Sequence, residues 1–109
     1  MLPKKKRLPI QETLQKKGRT ISRSKNFLLK KFPQEFPYTR IGILIGKKVF
    51  SKATKRNHLR RVIAHVFAEG DTLEKGDFLI VVLPSVATLT SEEIRRELHN
   101  VVMQASSRQ

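Results

Sequence analysis

Three stretches decide the fold class: Arg40-Ile41-Gly42-Ile43-Leu44-Ile45-Gly46, then Ser51-Lys52-Ala53-Thr54-Lys55-Arg56-Asn57-His58-Leu59-Arg60-Arg61, and then Phe78-Leu79-Ile80-Val81-Val82-Leu83. In the first, Ile41, Ile43 and Ile45 alternate as on one face of a strand, while Gly42, Leu44 and Gly46 share the other. A glycine inside a strand marks close approach by a backbone or ligand, or else a bulge or tight helix contact; the sequence leaves both open. The second stretch predicts a helix from a Ser51 cap to about Ala68, closed by Gly70. Its buried stripe is Leu59, Val62, Ile63, Val66 and Phe67, recurring at three- and four-residue spacing. The third is a continuous apolar run ended by Pro84, the pattern of a central strand covered on both faces.

Outward from this centre the signals are shorter. Asn26–Phe32 reads as a strand stopped by Pro33, and Gln34–Tyr38 as a turn between prolines. Ile10 and Leu14 fit a short first helix ending at Gly18. Thr90 and Glu93 form a capping box that opens a last helix with Ile94, Leu98, Val101, Val102 and Ala105 on one face. Fraying is expected from Ala105 to Gln109. Residues 1–109 therefore read as one domain with a basic tail over 1–7 and a frayed end over 106–109, and the order of elements predicts a sandwich of helices on one sheet.

Charge is segregated along the chain. It has 23 Lys and Arg against 9 Asp and Glu, a net charge of +14. Residues 1–61 hold 19 of the cations and two acids, Glu12 and Glu35; the remainder holds four cations and seven acids. Such asymmetry predicts a strongly anionic partner for one part of the molecule, with nucleic acid favoured over a membrane surface because there is no Trp to anchor an interfacial helix. The chain has no Cys, which excludes disulfides, thiolate metal sites and Cys nucleophiles. With few carboxylates in the basic part and no HxH or HExxH spacing, no catalytic or metal-ligating residues are expected. No apolar run is long enough to span a membrane, and no secretory signal is read at Met1–Arg7, so a soluble, cytoplasmic protein is expected.

On the central helix Arg56 and Arg60 fall on one flank of the apolar stripe and Lys55 and His58 on the other. Thr54, Asn57, Arg61 and His65 lie opposite it. The candidate RNA-binding set is Lys47, Lys48, Lys52, Lys55, Arg56, Asn57, His58, Arg60 and Arg61, beside a positive helix N-terminus. Phe27, Phe32, Phe36 and Tyr38 are candidates for stacking on bases, against the alternative of ordinary core packing for Phe27 and Phe32.

The stretch from Arg40 to Val49 followed by Lys52 to Arg61 resembles the protein subunit of bacterial ribonuclease P. That family carries a strand ending in a Lys-Lys pair, here Lys47-Lys48, then a helix with an Arg-Asn-Arg element and a basic pair, here Arg56-Asn57-His58 and Arg60-Arg61. His58 thus stands at the second Arg, and Phe50 where a glycine is common. Around Gln11 and Gln15 the chain lacks the aromatics of the family's first helix. The resemblance implies an α+β two-layer sandwich in αβββαβα order. Its single, mostly antiparallel four-stranded sheet would have a left-handed βαβ crossover, the ribosomal protein S5 domain 2-like fold. It also implies a protein that binds ribonuclease P RNA and the 5′ leader of precursor tRNA as a monomer in the holoenzyme. The RNA, with its Mg²⁺ ions, carries the endonucleolytic chemistry. Arg56, Asn57, Arg60, Phe36 and Tyr38 are the leader-side candidates. The alternative is a ribosomal or other non-enzymatic RNA-binding module; a nuclear DNA-binding protein would rest on Pro3–Arg7 alone.

Overall fold

The computed structural model describes Leu8, Thr13, Gln15 and residues 17–33, 37–46, 48–69 and 76–108. The elements are β1 (Arg19–Arg23), β2 (Phe27–Phe32), β3 (Arg40–Ile45), α1 (Ala53–Glu69), β4 (Asp77–Val82), a 3₁₀ turn (Pro84–Thr88) and α2 (Ser91–Arg108). The sheet order is β1-β2-β4-β3. β1 and β4 each pair antiparallel with β2, and β3 pairs parallel with β4. This is the expected α+β sandwich with a mostly antiparallel sheet. The expected first helix, the 1–7 tail and the Gly70 cap lie largely or wholly outside the described residues.

Alternation along the strands sends Phe27, Leu29, Ile41, Ile45, Phe78, Ile80 and Val82 to one face, where they meet Leu59, Val62, Ile63 and Phe67 of α1 and Ile94, Leu98 and Val101 of α2. Strand β4 is central, as its apolar run predicts. Its other face packs Leu79 with Leu8 and Phe32. The bare side of Gly42 is occupied by the chain itself: a Cβ there would lie 3.1 Å from both Leu8 Cβ and Leu79 Cδ1. Leu8 also donates its N–H to the Ile41 carbonyl at 3.0 Å. Close backbone approach is therefore the reading of that glycine which the structure selects. Phe27 and Phe32 are 0% and 5% exposed, so they are core residues and not stacking platforms.

Strand β1 was not legible in the residues. Its burial runs from exposed Arg19 and Thr20 to a single buried residue, Ser22, and a register shift interrupts its pairing between Thr20 and Ser22. The Ser22 hydroxyl donates to Gln104 of α2 at 3.0 Å. The turn into β2 is held by Glu97 of α2, whose carboxylate accepts from the Ser24 hydroxyl, the Asn26 N–H at 2.9 Å and the Asn26 amide at 2.7 Å. The last helix spans Ser91–Arg108, and Ala105 is fully buried in the core.

Arg40 opens β3 and Asp77 opens β4, and the two are direct partners in the parallel register. Arg40 Nε donates to Asp77 Oδ1 at 2.9 Å and Nη2 to Oδ2 at 2.7 Å, a bidentate pair with both side chains buried. One of the cations of the basic segment is therefore structural. Arg40→Ala strands a buried carboxylate and should cost about 3–5 kcal/mol in urea unfolding, whereas Arg40→Met with Asp77→Leu should recover most of the loss.

The capping box forms as read. Thr90 N–H donates to Glu93 Oε1 at 2.9 Å, and Glu93 N–H to Thr90 Oγ1 at 3.2 Å. The Thr90 backbone bond, then its side-chain bond, holds the Glu93 carboxyl below its ordinary 4.5. Because the folded-state value is depressed, this contribution is present above the unfolded value and lost as pH falls through the folded one. Glu93→Ala should lower the thermal midpoint at neutral pH, and the gap to wild type should close in melts taken down to about pH 3.

Candidate nucleic-acid interface

Residues 36–68 contain no Asp or Glu, and they include the loop after β3 and all but the end of α1. The described candidates on this surface are Lys48, Lys52, Lys55, Asn57, His58 and Arg61, all exposed, with Arg56 and Arg60 half-buried. Lys47 and Phe36 lie outside the described residues, and Tyr38 is half-buried. The cations crowd the N-terminal end of α1, which has no acidic residue in its first turn. A helix N-terminus is already positive, so each cation there is locally unfavourable by about 0.3–1 kcal/mol until an anion arrives.

The Arg56 N–H donates to the Lys52 carbonyl at 3.2 Å, so the cap position falls on Lys52 and not on Ser51. The Arg56 guanidinium folds back onto the loop: one Nη donates to the Phe50 carbonyl at 2.7 Å and to the Ser51 carbonyl at 2.8 Å. Arg56 therefore ties down the segment that carries Lys48 and Lys52, a job its spacing on the helix did not announce. On the same flank Arg60 donates to Asn57 Oδ1 at 3.2 Å, coupling two of the leader-side candidates.

The other flank turns to α2. Thr54, Lys55 and His58 line a half-open groove of 370 Å³ with Phe50, Leu59, Val62, Leu89, Ser91 and Ile94. The Lys55 ammonium stands over the Phe50 ring, 5.8 Å from its centroid. His58 thus shares a wall with Lys55 and is separated from Arg56 and Arg60 by the helix. The contribution of Phe50 was missed; its one signal was an aromatic residue set in a polar, basic loop.

The described carboxylates of the second half are engaged elsewhere. Asp77 pairs with Arg40, Glu97 holds the β1–β2 turn, Glu93 caps α2, and Glu92 meets Arg96 at 3.5 Å on the surface. Among the described residues no three of His, Asp and Glu come together as metal ligands would, and no helix is long and apolar enough to cross a membrane.

These features define a class: a basic α+β domain whose crossover helix, free of acids up to its last residue, joins a parallel pair of strands. A family model for ribonuclease P matches residues 2–106. The ribonuclease P protein component of Geobacillus sp. is 36% identical over 75 residues, which are 67% of this chain and 64% of that protein. Its counterpart in Lactococcus lactis subsp. lactis is 32% identical over 80 residues, 72% of this chain and 68% of that one. The match thus spans about two thirds of each relative's length. Among solved structures, the RNase P protein from Thermotoga maritima has a TM-score of 0.76 at 23% identity, covering 88% of this chain and 94% of its own. A mutant RNase P protein from Staphylococcus aureus has a TM-score of 0.81 at 22% identity, covering 94% and 89%. At that identity the structures speak for the fold alone. The chain belongs to the ribonuclease P protein family.

Two arginines on one helix should separate by role. Arg56→Ala should lower the urea midpoint, through a loss of about 1 kcal/mol in unfolding free energy for charged hydrogen bonds at a half-exposed site, and also weaken binding to an RNA oligomer. Arg61→Ala, from an exposed position, should weaken the binding and leave the midpoint within error.

Proposed function

We propose that this chain is the protein subunit of a ribonuclease P holoenzyme, binding the catalytic RNA and the 5′ leader of precursor tRNA. The observation that carries this reading is the acid-free cationic surface at the N-terminal end of α1, on the fold and in the family described above. Lys48, Lys52, Lys55, His58 and Arg61, with Lys47, serve as phosphate contacts for the RNA subunit. Asn57 and Arg60, linked on the opposite flank, face the leader: a guanidinium can pair with phosphate or lie on a splayed base, and an amide can bond a sugar or base edge. Arg56 acts on the same side through the loop it holds, and Tyr38 and Phe36 complete the leader candidates.

In this reading the RNA and its Mg²⁺ ions carry the cleavage in the cytoplasm, and the protein neutralises and positions. The structural employment of the described carboxylates supports that division of labour. The test is to add the purified protein to a ribonuclease P RNA with precursor tRNA at low Mg²⁺. Cleavage at the mature 5′ end should rise with added protein, while the protein alone should leave the substrate intact. Affinity for the RNA should fall steeply with salt, with a slope of about 0.7–0.9 per phosphate contact. Binding without stimulation would favour a non-enzymatic RNA-binding module, and cleavage by RNA-free protein would overturn the division of labour.

A further inference from the structure

The reading above uses Lys55 and His58 at the rim of the groove between α1 and α2, and leaves its apolar interior without a role. Its floor and walls are apolar, from Phe50, Leu59, Val62, Leu89 and Ile94, and its polar rim is Thr54, Lys55, His58 and Ser91. Leu59, Val62 and Ile94 are buried core residues, so the walls are rigid. Its 370 Å³ lies within the range of about 300–1,000 Å³ typical of small-ligand sites. Of the groove's lining residues Lys55 and His58 are basic and none is acidic. Lys55 is held over the Phe50 ring, and the nearby acids of α2 are occupied, Glu93 by Thr90 and Glu92 by Arg96. An occupant that fits must therefore be apolar and flat at one end and anionic at the other. A second copy of the chain is disfavoured by its own charge of +14.

Resting on the RNA-binding reading, we propose that this groove takes one unpaired nucleotide of RNA, its base against Phe50 and Leu89 and its phosphate on Lys55. A paired base has its faces covered in the stack and cannot enter, so the slot selects a bulged, looped or terminal nucleotide. The phosphate contacts on the exposed side of α1 then fix position, and the slot adds a contact that depends on the presence of a base.

The experiment compares two probes of equal charge, a five-nucleotide single-stranded adenylate oligomer and the same backbone with abasic riboses, titrated into the full chain at fixed moderate salt. Wild type should bind the base-bearing oligomer roughly tenfold more tightly, the size expected for one stacked base. Thr54→Trp and Ser91→Trp place an indole over the groove from rim positions outside the core, and in each the ratio of the two affinities should fall well below that of wild type, any remainder coming from base contacts on the Asn57–Arg60 flank. Circular dichroism melts establish that both variants are folded. Equal binding of the two probes by wild type, or a preference that survives both Trp variants undiminished, overturns the slot while leaving the basic surface standing. Failure of both probes to bind overturns the RNA-binding reading together with the slot. A monomer–dimer equilibrium in sedimentation that both Trp variants abolish would assign the groove to a second copy and also overturn the proposal.

Discussion

The bidentate pair between Arg40 and Asp77 fixes the first rung of the parallel β3–β4 pair, and the position of α1 follows from it. A one-residue slip in this pair would turn Ile41, Ile43 and Ile45 away from the helices. It would also leave two charges buried without partners. The register in turn seats Ile45 beside Val82 at the far end of the strands, where the chain leaves β3 for the basic loop. The cost of burying a guanidinium and a carboxylate is offset by geometry, with two short bonds in one plane. Stability and the placing of the functional surface therefore share one interaction.

From that rung the cationic surface is built at a local electrostatic loss. Lys52, Lys55 and Arg56 stand at the positive end of α1, and no Asp or Glu between residues 36 and 68 relieves them. Arg56 spends its charge on the Phe50 and Ser51 carbonyls, which stiffens the loop but leaves the net charge unchanged. A polyanion removes the repulsion and gains the helix dipole at once, so most of the favourable electrostatics of this domain appears only in its complex. This agrees with the distribution of acids: Asp77, Glu93 and Glu97 have work in the core, a helix cap and a turn.

The centre of the fold was legible because periodicity is strong there. The alternating isoleucines, the stripe of α1 and the apolar run of β4 each satisfy one template. The capping box of α2 was legible because its two residues lie three apart and need only each other. What was not legible depended on distant partners. Strand β1 buries only Ser22 and is recruited by β2 and by Gln104 from far along the chain. Glu97 looks like a surface helix residue until the β1–β2 turn folds onto it. Asp77 reads as part of a turn, because nothing local shows that Arg40 will lie beside it.

The same distinction applies to the site. Which residues of α1 are exposed follows from helical spacing, and the candidate cations were found that way. What each flank faces does not, because it depends on where α2 and the loop after β3 are placed. One flank meets that loop, through Arg56, and pairs Asn57 with Arg60; the other meets α2 and encloses the groove containing Lys55 and His58. A helix with two unlike flanks and a cationic ridge between them can hold two segments of nucleic acid apart at a fixed spacing. The rigid core beneath, with Leu59 and Ile63 almost fully buried, keeps that spacing independent of the ligand. The apolar stripe thus sets the orientation of the helix and, with it, what each flank faces.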